Sequence, residues 1–342
     1  MNIELSSRVQ RVQPSPTLVI AATASRLRRE GKDIIGLATG EPDFDTPDAI
    51  KVAAIEAIQS GQTKYTAVDG TVGLKTAVAA KFERDNGLKY APDQILVSTG
   101  AKQSIFNLCQ ALLSEGDEAI IPAPYWVSYP DIVLLADAKP VIVSAGQSQG
   151  FKLTAEQLEA AMTPRTRLLM LNSPSNPSGV AYSEAELKAL AEVLLKHPQV
   201  IIATDDIYED ILFDGQPFSN IVMACPELYD RTVVINGVSK AYAMTGWRIG
   251  YAGGPATLIK AMKKVQSQST SNPCSISQAA AEAALNGPQD VIDTMVSAYA
   301  ERHHFVHATL NRIEGVDCLP SDGTFYSFPN AEPLIERLPG IN

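Results

Sequence analysis

The chain has 342 residues, of which 45% are hydrophobic and 19% are charged, and its net charge is −10. This composition is typical of a globular protein and excludes a largely disordered chain. The acidic balance argues against nucleic acid as a partner, because nucleic-acid binding needs a basic face. The apolar stretch at residues 18–24 is too short to cross a bilayer and no signal peptide precedes it, so we predict a cytoplasmic protein without a membrane partner.

The first 47 residues contain many turn formers, such as those in Gly40-Glu41-Pro42. We assign residues 1–47 to an N-terminal arm and part of a small domain. Residues 48–298 are predicted to form a large ligand-binding domain. Residues 299–342 are again helical and then hairpin-like, and we assign them to the incomplete start of a C-terminal small domain.

Short apolar runs alternate with helical patterns in the large domain. A helix is predicted to begin near Ala101, because apolar residues then recur at intervals of three and four. A second helix is predicted over residues 183–196, where Ser183 and Glu186 have the spacing of a capping box. The predicted strands are residues 94–98, 118–121, 140–143, 167–171, 200–203 and 232–235.

Continuous apolar strands separated by helices predict an α/β fold with a mostly parallel sheet covered on both faces. Ligands of such sheets bind at the carboxyl ends of the strands. The polar clusters that follow the strands are residues 100–102, 172–179, 205–208 and 236–240. We therefore expect these clusters to lie close together and to form the functional site.

Lys240 follows the last predicted strand. Burial lowers the pKa of a lysine, and the resulting neutral amine can form a Schiff base with an aldehyde cofactor. Arg248, eight residues later, has the guanidinium that suits a phosphate. Taken alone, each residue is more typical of a protein surface, and the surrounding residues decide the interpretation.

Asp205 ends the run VIIATD, where a buried carboxylate needs a cationic partner to stay ionised. A protonated pyridine nitrogen would be such a partner, and the hydroxyl of Tyr208 could reach an oxygen on the same ring. Taken alone, Asp205 is more typical of a helix N-cap and Tyr208 is more typical of a core aromatic residue.

Three further segments contain candidate ligand-binding residues. Asn176 lies in the turn-rich loop NSPSNPSG, where two prolines could hold it rigidly towards a ligand. The free amides of a helix that begins at Ala101-Lys102 could bind phosphate. The indole of Trp126 could stack on a flat ring. Each segment has a simpler alternative: a plain loop for Asn176, an ordinary strand–helix turn for Ala101-Lys102, and a core aromatic residue for Trp126.

The histidines and cysteines do not predict a metal site. His303, His304 and His307 form HHxxH in a predicted helix, but a zinc site would need further ligands. We predict a solvated helix face there. The four cysteines are far apart, form no CxxC motif and are predicted to be buried free thiols; they are Cys109, Cys225, Cys274 and Cys318.

Taken together, these segments resemble the class I and II pyridoxal-phosphate-dependent aminotransferases, specifically the bacterial aspartate aminotransferase branch. The resemblance runs from about residue 8 to residue 328. It rests on seven motifs in order: GEPDFDTP, TKYTAVDG, TGAKQ, PYWVSYP, NSPSNPSG, DDIYE and SKAYAMTGWRIGY.

The resemblance implies the fold of type I pyridoxal-phosphate enzymes, a homodimer with shared sites, and a role for each matching residue. Lys240 is implied as the catalytic Schiff-base lysine and Asp205 as the partner of the ring nitrogen. The other implied cofactor ligands are Asn176 and Tyr208 at the ring oxygen, Trp126 over the ring, and Ala101, Lys102, Ser239, Arg248 and a neighbouring subunit's Tyr65 at the phosphate. The implied substrate ligands are Gly40, Trp126 and Asn176, with Thr17 and Lys102 at the distal carboxylate.

The implied reaction is a ping-pong transfer of the amino group of an L-amino acid, aspartate, to a 2-oxo acid, 2-oxoglutarate. Aromatic amino transfer, β-elimination and a non-catalytic cofactor-binding protein stay open as alternatives. A cofactor-sensing regulator would need a basic DNA-binding domain. The sequence has no room for one before residue 8.

The sequence departs from the family pattern at three places. Gly237 replaces a serine three residues before the lysine, so a phosphate contact is lost or moves to Ser239. Gln13 replaces a basic residue of relatives with broader dicarboxylate use. The sequence stops at Asn342, before the family's arginine for the substrate α-carboxylate, and we therefore expect weak or no turnover.

Overall fold

The computed structural model describes residues 3–37 and 39–337. Its helices are α1 Ser7–Gln10, α2 Pro16–Arg29, α3 Asp48–Gln59, α4 Val72–Asn86, α5 Ala101–Leu112, α6 Ser128–Leu135, α7 Ala155–Ala161, α8 Glu184–Lys196, α9 Ile221–Ala224, α10 Ala256–Ser267, α11 Ser275–Asn286, α12 Asp290–Leu310 and α13 Glu332–Ile335. Its strands are β1 Ile95–Ser98, β2 Glu118–Ala123, β3 Lys139–Ser144, β4 Thr166–Asn172, β5 Ile201–Asp205, β6 Thr232–Gly237, β7 Gly250–Gly253, β8 Asp317–Cys318 and β9 Pro329–Asn330.

Seven strands form one sheet in the order β1-β7-β6-β5-β4-β2-β3. The strands from β2 to β6 are parallel, whereas β7 runs antiparallel to both of its neighbours. The mostly parallel α/β sheet is confirmed, and all six predicted strands are present within two residues at each end. Strand β7 was not predicted, since its GYAG sequence has two glycines and no apolar run.

Helices cover both faces of the sheet, and two hydrophobic clusters fill the space between. One cluster joins α4, α8 and α11 to the sheet, and the other joins α5, α6 and α10 to it. Along β1, Ile95 and Val97 belong to the first cluster and Leu96 belongs to the second. Since both faces are buried, the strands are apolar throughout rather than alternating.

Local signals set the starts of two helices near the site. The Ser183 hydroxyl accepts from the backbone N–H of Glu186, and the Glu186 carboxylate accepts from the backbone N–H of Ser183 at 2.7 Å. The capping box predicted for α8 is therefore confirmed. α5 begins at Ala101, as predicted, and follows Gly100, whose φ of +86° is readily adopted only by glycine.

A third hydrophobic cluster joins the two ends of the chain to the carboxyl edge of the sheet. It contains Tyr208 and Tyr299, against which Phe44, Phe325 and Tyr326 pack. The predicted boundary between residues 298 and 299 lies inside the continuous helix α12. The proposed division into domains stays a prediction.

Two predictions about side-chain exposure are wrong. His303 is buried instead of solvated, because its ring stacks on Phe213 and its Nε2 accepts from the backbone N–H of Ser321 at 3.0 Å. Cys274 is exposed instead of buried, because it lies at the N-cap of α11 at the protein surface. Among the helices described, none has the length and apolarity needed to cross a membrane.

Candidate active site

The structure brings the polar clusters together at the carboxyl edge of the sheet. The Asn172 side chain donates to the Asp205 carbonyl at 2.7 Å and accepts from the backbone N–H of Asn176 at 2.7 Å. Lys240 Nζ lies 5.7 Å from the centroid of the Tyr208 ring. Three neighbouring strands, β4, β5 and β6, thus deliver their terminal polar groups to one place.

Lys240 presents a largely buried amine to this edge. Its Nζ donates to the carbonyl of Gly40 at 2.7 Å, which links the N-terminal segment to the sheet. The pKa of Lys240 is lowered to about 8, chiefly by burial; the charge of Arg248 also lowers it, while the charges of Glu41 and Asp205 oppose the shift. A substantial fraction of this amine is therefore neutral and nucleophilic at mildly alkaline pH.

The reactivity of Lys240 should follow this pKa. In the cofactor-free protein, trapping of Lys240 by a small aldehyde and borohydride should rise with pH and reach half its maximum near pH 8. In urea the same lysine should need a pH near its ordinary pKa of about 10.4, because unfolding removes the burial. Peptide mass spectrometry would measure both curves, and coinciding curves would contradict the prediction.

Asp205 is a buried carboxylate at the end of β5. Its Oδ2 accepts from the Tyr129 hydroxyl at 2.7 Å, and its Oδ1 accepts from the backbone N–H of Ile207 at 3.4 Å. Burial raises the pKa of Asp205 to about 6 in spite of these bonds. A protonated ring nitrogen beside it would favour the charged form. In the sequence, Tyr129 is marked only as part of PYWVSYP, and no local signal points to its contact with Asp205.

Two tyrosine hydroxyls meet next to Asn176. The hydroxyls of Tyr208 and Tyr326 are 2.7 Å apart, and Asn176 Nδ2 donates to the Tyr326 hydroxyl at 3.2 Å. A Cβ atom added to Gly40 would collide with the same hydroxyl. Tyr326 was not predicted, because it is marked only as one of three aromatic residues in the hairpin-like segment 323–328.

A positive pocket lies where α5 begins. In the described residues no side chain caps the N-terminus of α5, and a Cβ at Gly100 would collide with Arg248. A Cβ at Gly250 would collide with the backbone nitrogen of Ala101. Burial, and next the charge of Arg248, lower the pKa of Lys102. This pocket fits a phosphate group, because it offers the uncapped amides of α5, room close to the backbone, and the cations Lys102 and Arg248.

The structure also explains why residue 237 is glycine. A Cβ there would lie 2.9 Å from the carbonyl oxygen of Ile249 and 3.0 Å from the Cα of Gly250. A serine side chain would therefore force β6 and β7 apart. Ser239 is buried beside Lys240 and is the hydroxyl available in this turn.

A cavity of about 490 Å³ opens beside the positive pocket. Gln13, Lys102 and Arg248 line it, and Trp126 lies near, with Lys102 Nζ 4.6 Å from its ring centroid. The lining residues that the structure describes do not include Thr17, which is half-buried in the first turn of α2. Tyr65 is 94% exposed and lies outside the site of its own chain.

Taken together, the site combines a buried amine, a buried carboxylate and a positive pocket. This donor set fits a planar, phosphorylated aldehyde cofactor with a basic ring nitrogen. The amine fits the aldehyde, the carboxylate fits the ring nitrogen, and the pocket at α5 fits the phosphate.

Comparisons with known proteins point the same way. The family model described as aminotransferase class I and II matches residues 32–337. An aspartate/prephenate aminotransferase of Nitrosomonas europaea is 60% identical over 336 residues, which are 98% of this chain and 85% of that relative.

Solved structures are also similar. The crystal structure of the aspartate aminotransferase from Rhizobium meliloti has a TM-score of 0.94 and 54% identity, over 98% of this chain and 84% of that one. The aspartate aminotransferase from Thermus thermophilus with maleate has a TM-score of 0.91 and 42% identity, over 96% and 85% of the two chains.

Proposed function

The chain belongs to the class I and II aminotransferases, and we propose that it transfers the amino group of aspartate to 2-oxoglutarate with pyridoxal 5′-phosphate held at Lys240. It is a pyridoxal-phosphate-dependent enzyme with the type I fold. One observation carries the proposal: the amine of Lys240, bonded to the Gly40 carbonyl at 2.7 Å and 5.7 Å from the Tyr208 ring, lies at the edge of the sheet where β5 ends in the buried Asp205 carboxylate.

Each part of the cofactor has a proposed ligand in this chain. Asp205 would hold the ring nitrogen protonated, and Asn176 and Tyr208 would bind the ring oxygen. Trp126 would cover the ring. The phosphate ligands would be Ala101, Lys102, Ser239 and Arg248, with Tyr65 from a second copy of the chain.

The chain's own groups then divide the chemistry. The cofactor supplies an aldehyde that bonds amines and a ring that withdraws electrons from the adjacent carbon. Asp205 keeps that ring cationic. The free amine of Lys240 would take the proton from the substrate α-carbon as general base and would give it, as general acid, to the former aldehyde carbon of the cofactor. Gly40, Trp126 and Asn176 would orient the substrate.

The test of this function is an absorbance spectrum of the protein with pyridoxal phosphate, before and after aspartate. A near-visible band that borohydride fixes onto Lys240 and that aspartate removes would support both cofactor binding and amino transfer. A band that ignores aspartate would leave a cofactor site without amino transfer. No band at all would refute the proposal.

Two cations, Lys102 and Arg248, outnumber the single carboxylate, Asp131, in the lining of the cavity beside the positive pocket and favour an acidic substrate. We propose that Lys102, with Thr17, binds the distal carboxylate of aspartate. The relatives named aspartate aminotransferases, and the one solved with maleate, are consistent with a dicarboxylate ligand.

Lys102→Leu should change substrate selectivity. We expect kcat/KM for aspartate to fall by about 10- to 100-fold, since one charged hydrogen bond to the substrate contributes about 1.5–3 kcal/mol, while kcat/KM for phenylalanine does not fall. Both assays are run at saturating cofactor, because Lys102 also borders the phosphate pocket. Lys260→Leu, at an exposed position on α10, is the matched control. Unchanged preference for aspartate over phenylalanine would contradict the assignment.

Prephenate is a second candidate acceptor, because the relative that is 60% identical is named for it. Prephenate is also a dicarboxylate, and the same cavity would receive it. Gln13 lines this cavity without a charge. Steady-state assays with aspartate as donor and either 2-oxoglutarate or prephenate as acceptor would decide between the two.

We also propose a cytoplasmic homodimer with shared active sites. Several large apolar side chains of α2 and α3 are exposed, among them Leu18, Val52 and Ile55. The exposed apolar residues of α3 recur at a spacing of three and form a patch that is typical of an interface, and the exposure of Tyr65 is compatible with a role in a second subunit.

Disruption of this patch should separate the subunits. Ile55→Glu should convert a dimer into a monomer in sedimentation velocity and weaken cofactor binding, because Tyr65 of the other copy is lost from the site. The control is Ile313→Glu, an exposed isoleucine beyond α12. A wild-type chain that sediments as a monomer at micromolar concentration would refute the proposal.

A further inference from the structure

The hydroxyl of Tyr326 connects three parts of the site. It lies 2.7 Å from the Tyr208 hydroxyl, it accepts from Asn176 Nδ2 at 3.2 Å, and it occupies the space that a Cβ at Gly40 would need. The side chain is half-buried in an aromatic cluster, with its ring centroid 5.7 Å from that of Tyr208. The contact therefore joins the segment after β8 to loops that follow β4 and β5.

A second tyrosine of the same cluster, Tyr299, packs through its ring and makes no use of its hydroxyl within the described part of the chain. Tyr299 packs edge-on against Phe44 and beside Phe325. Its hydroxyl is buried and has no hydrogen-bond partner among the described residues. The Tyr326 hydroxyl, in contrast, has two polar neighbours that both face the proposed cofactor.

One of the two hydrogen bonds at Tyr326 has a fixed direction. An amide nitrogen can only donate, so Asn176 gives its proton to the Tyr326 oxygen. The bond between the two hydroxyls allows either one to donate, and Tyr326, which keeps its own proton, can donate it to the Tyr208 oxygen. When Tyr326 donates, the proton of Tyr208 is not used inside the chain and is free to point towards the cofactor.

We propose that Tyr326 is a positioning residue that donates to Tyr208 and makes Tyr208 a stronger donor to the ring oxygen of the cofactor. This inference rests on the proposed function. A hydroxyl that accepts a hydrogen bond is a better donor, because hydrogen bonds in a chain polarise one another. The pair would thus stabilise negative charge on the ring oxygen.

The expected consequence concerns the pH at which the bound cofactor loses its proton and changes its absorbance. The charged groups near the two hydroxyls are Asp205, at the end of β5, and Lys240, after β6. Neither changes in Tyr326→Phe. In the variant the negative charge on the ring oxygen is less stabilised, so the bound cofactor keeps its proton to a higher pH. The midpoint of the absorbance change should therefore rise.

The experiment is a spectroscopic pH titration of the cofactor-bound protein, with cofactor affinity as a second readout. In Tyr326→Phe the midpoint should rise by about 0.5–1 pH unit, and the Kd for pyridoxal phosphate should rise by about 3- to 10-fold, as expected for the loss of one hydrogen bond. Tyr299→Phe, which removes an unpartnered hydroxyl from the same cluster, should change neither. In a Tyr208→Phe background, adding Tyr326→Phe should leave the midpoint where it is.

Three results would overturn the inference. They are an unchanged midpoint in Tyr326→Phe, an equal shift in Tyr299→Phe, and a further shift of the midpoint in the double variant. If the wild-type protein formed no cofactor band, the proposed function would fail before Tyr326 was tested. A normal wild-type band with an unchanged Tyr326→Phe midpoint would remove only the role of Tyr326.

Discussion

Lys240→Ala should fold, bind cofactor weakly and lose amino transfer by about 10⁴-fold or more, the upper end of what one positioned acid–base group contributes. The loss should be this large because one amine has two proposed tasks. It bonds the cofactor, and it moves the proton at the substrate α-carbon. Its position supports both, since Nζ is largely buried, bonded to Gly40 and near the Asp205 carboxylate.

Single-turnover kinetics can separate the two tasks. Lys240→Ala loaded with excess cofactor and then mixed with aspartate should bind the amino acid but convert it very slowly. Added methylamine should restore part of the conversion, because a free amine can replace the missing base. Lys260→Ala removes an exposed lysine and should behave like the wild-type chain. Full conversion by Lys240→Ala would contradict the assignment of the base.

Much of the fold could be predicted because its signals are local. An apolar run bounded by polar residues marks each strand from β1 to β6, and Ser183 with Glu186 marks the start of α8. The rule that ligands bind at the carboxyl ends of parallel strands then placed Asp205 and Lys240 near each other. A signal for β7 was absent, because its register depends on pairing with β1 and β6 rather than on its own side chains.

The parts of the site that escaped prediction depend on long-range contacts. Tyr326 meets Tyr208 across 118 residues, and Tyr129 meets Asp205 across 76 residues. No spacing within a motif encodes such a contact. The same holds for His303, whose burial depends on Phe213 and Ser321. Residue types and their positions after the strands therefore predicted which groups meet at the edge of the sheet, but not the groups that orient them.

A buried ion pair behind the site has the next largest expected effect. Lys81 of α4 pairs with Glu209, and both side chains are at most 3% exposed. The Glu209 carboxylate also accepts from Asn86 Nδ2 and from Asn236 Nδ2, each at 2.8 Å. Glu209 follows Tyr208 directly, and Asn236 lies four residues before Lys240. One carboxylate thus ties together the two segments that carry the site.

Lys81→Met should destabilise the cofactor-free chain by about 3–5 kcal/mol, because it leaves the Glu209 carboxylate buried without its cation. Lys81→Met with Glu209→Gln should recover part of this loss, since the glutamine is neutral and still has one oxygen for an asparagine amide. Urea unfolding without cofactor measures both, because bound cofactor would add its own stabilisation.

The control for this pair is Lys188→Met on α8. Lys188 pairs with Glu184 at the surface, where both side chains are more than half exposed, and water already solvates the charges. This substitution should change stability far less. If Lys81→Met were as mild as Lys188→Met, the Glu209 carboxylate would have to be neutral in the folded chain. The two segments would then be held by the asparagine amides alone, and Glu209→Gln by itself should leave stability unchanged.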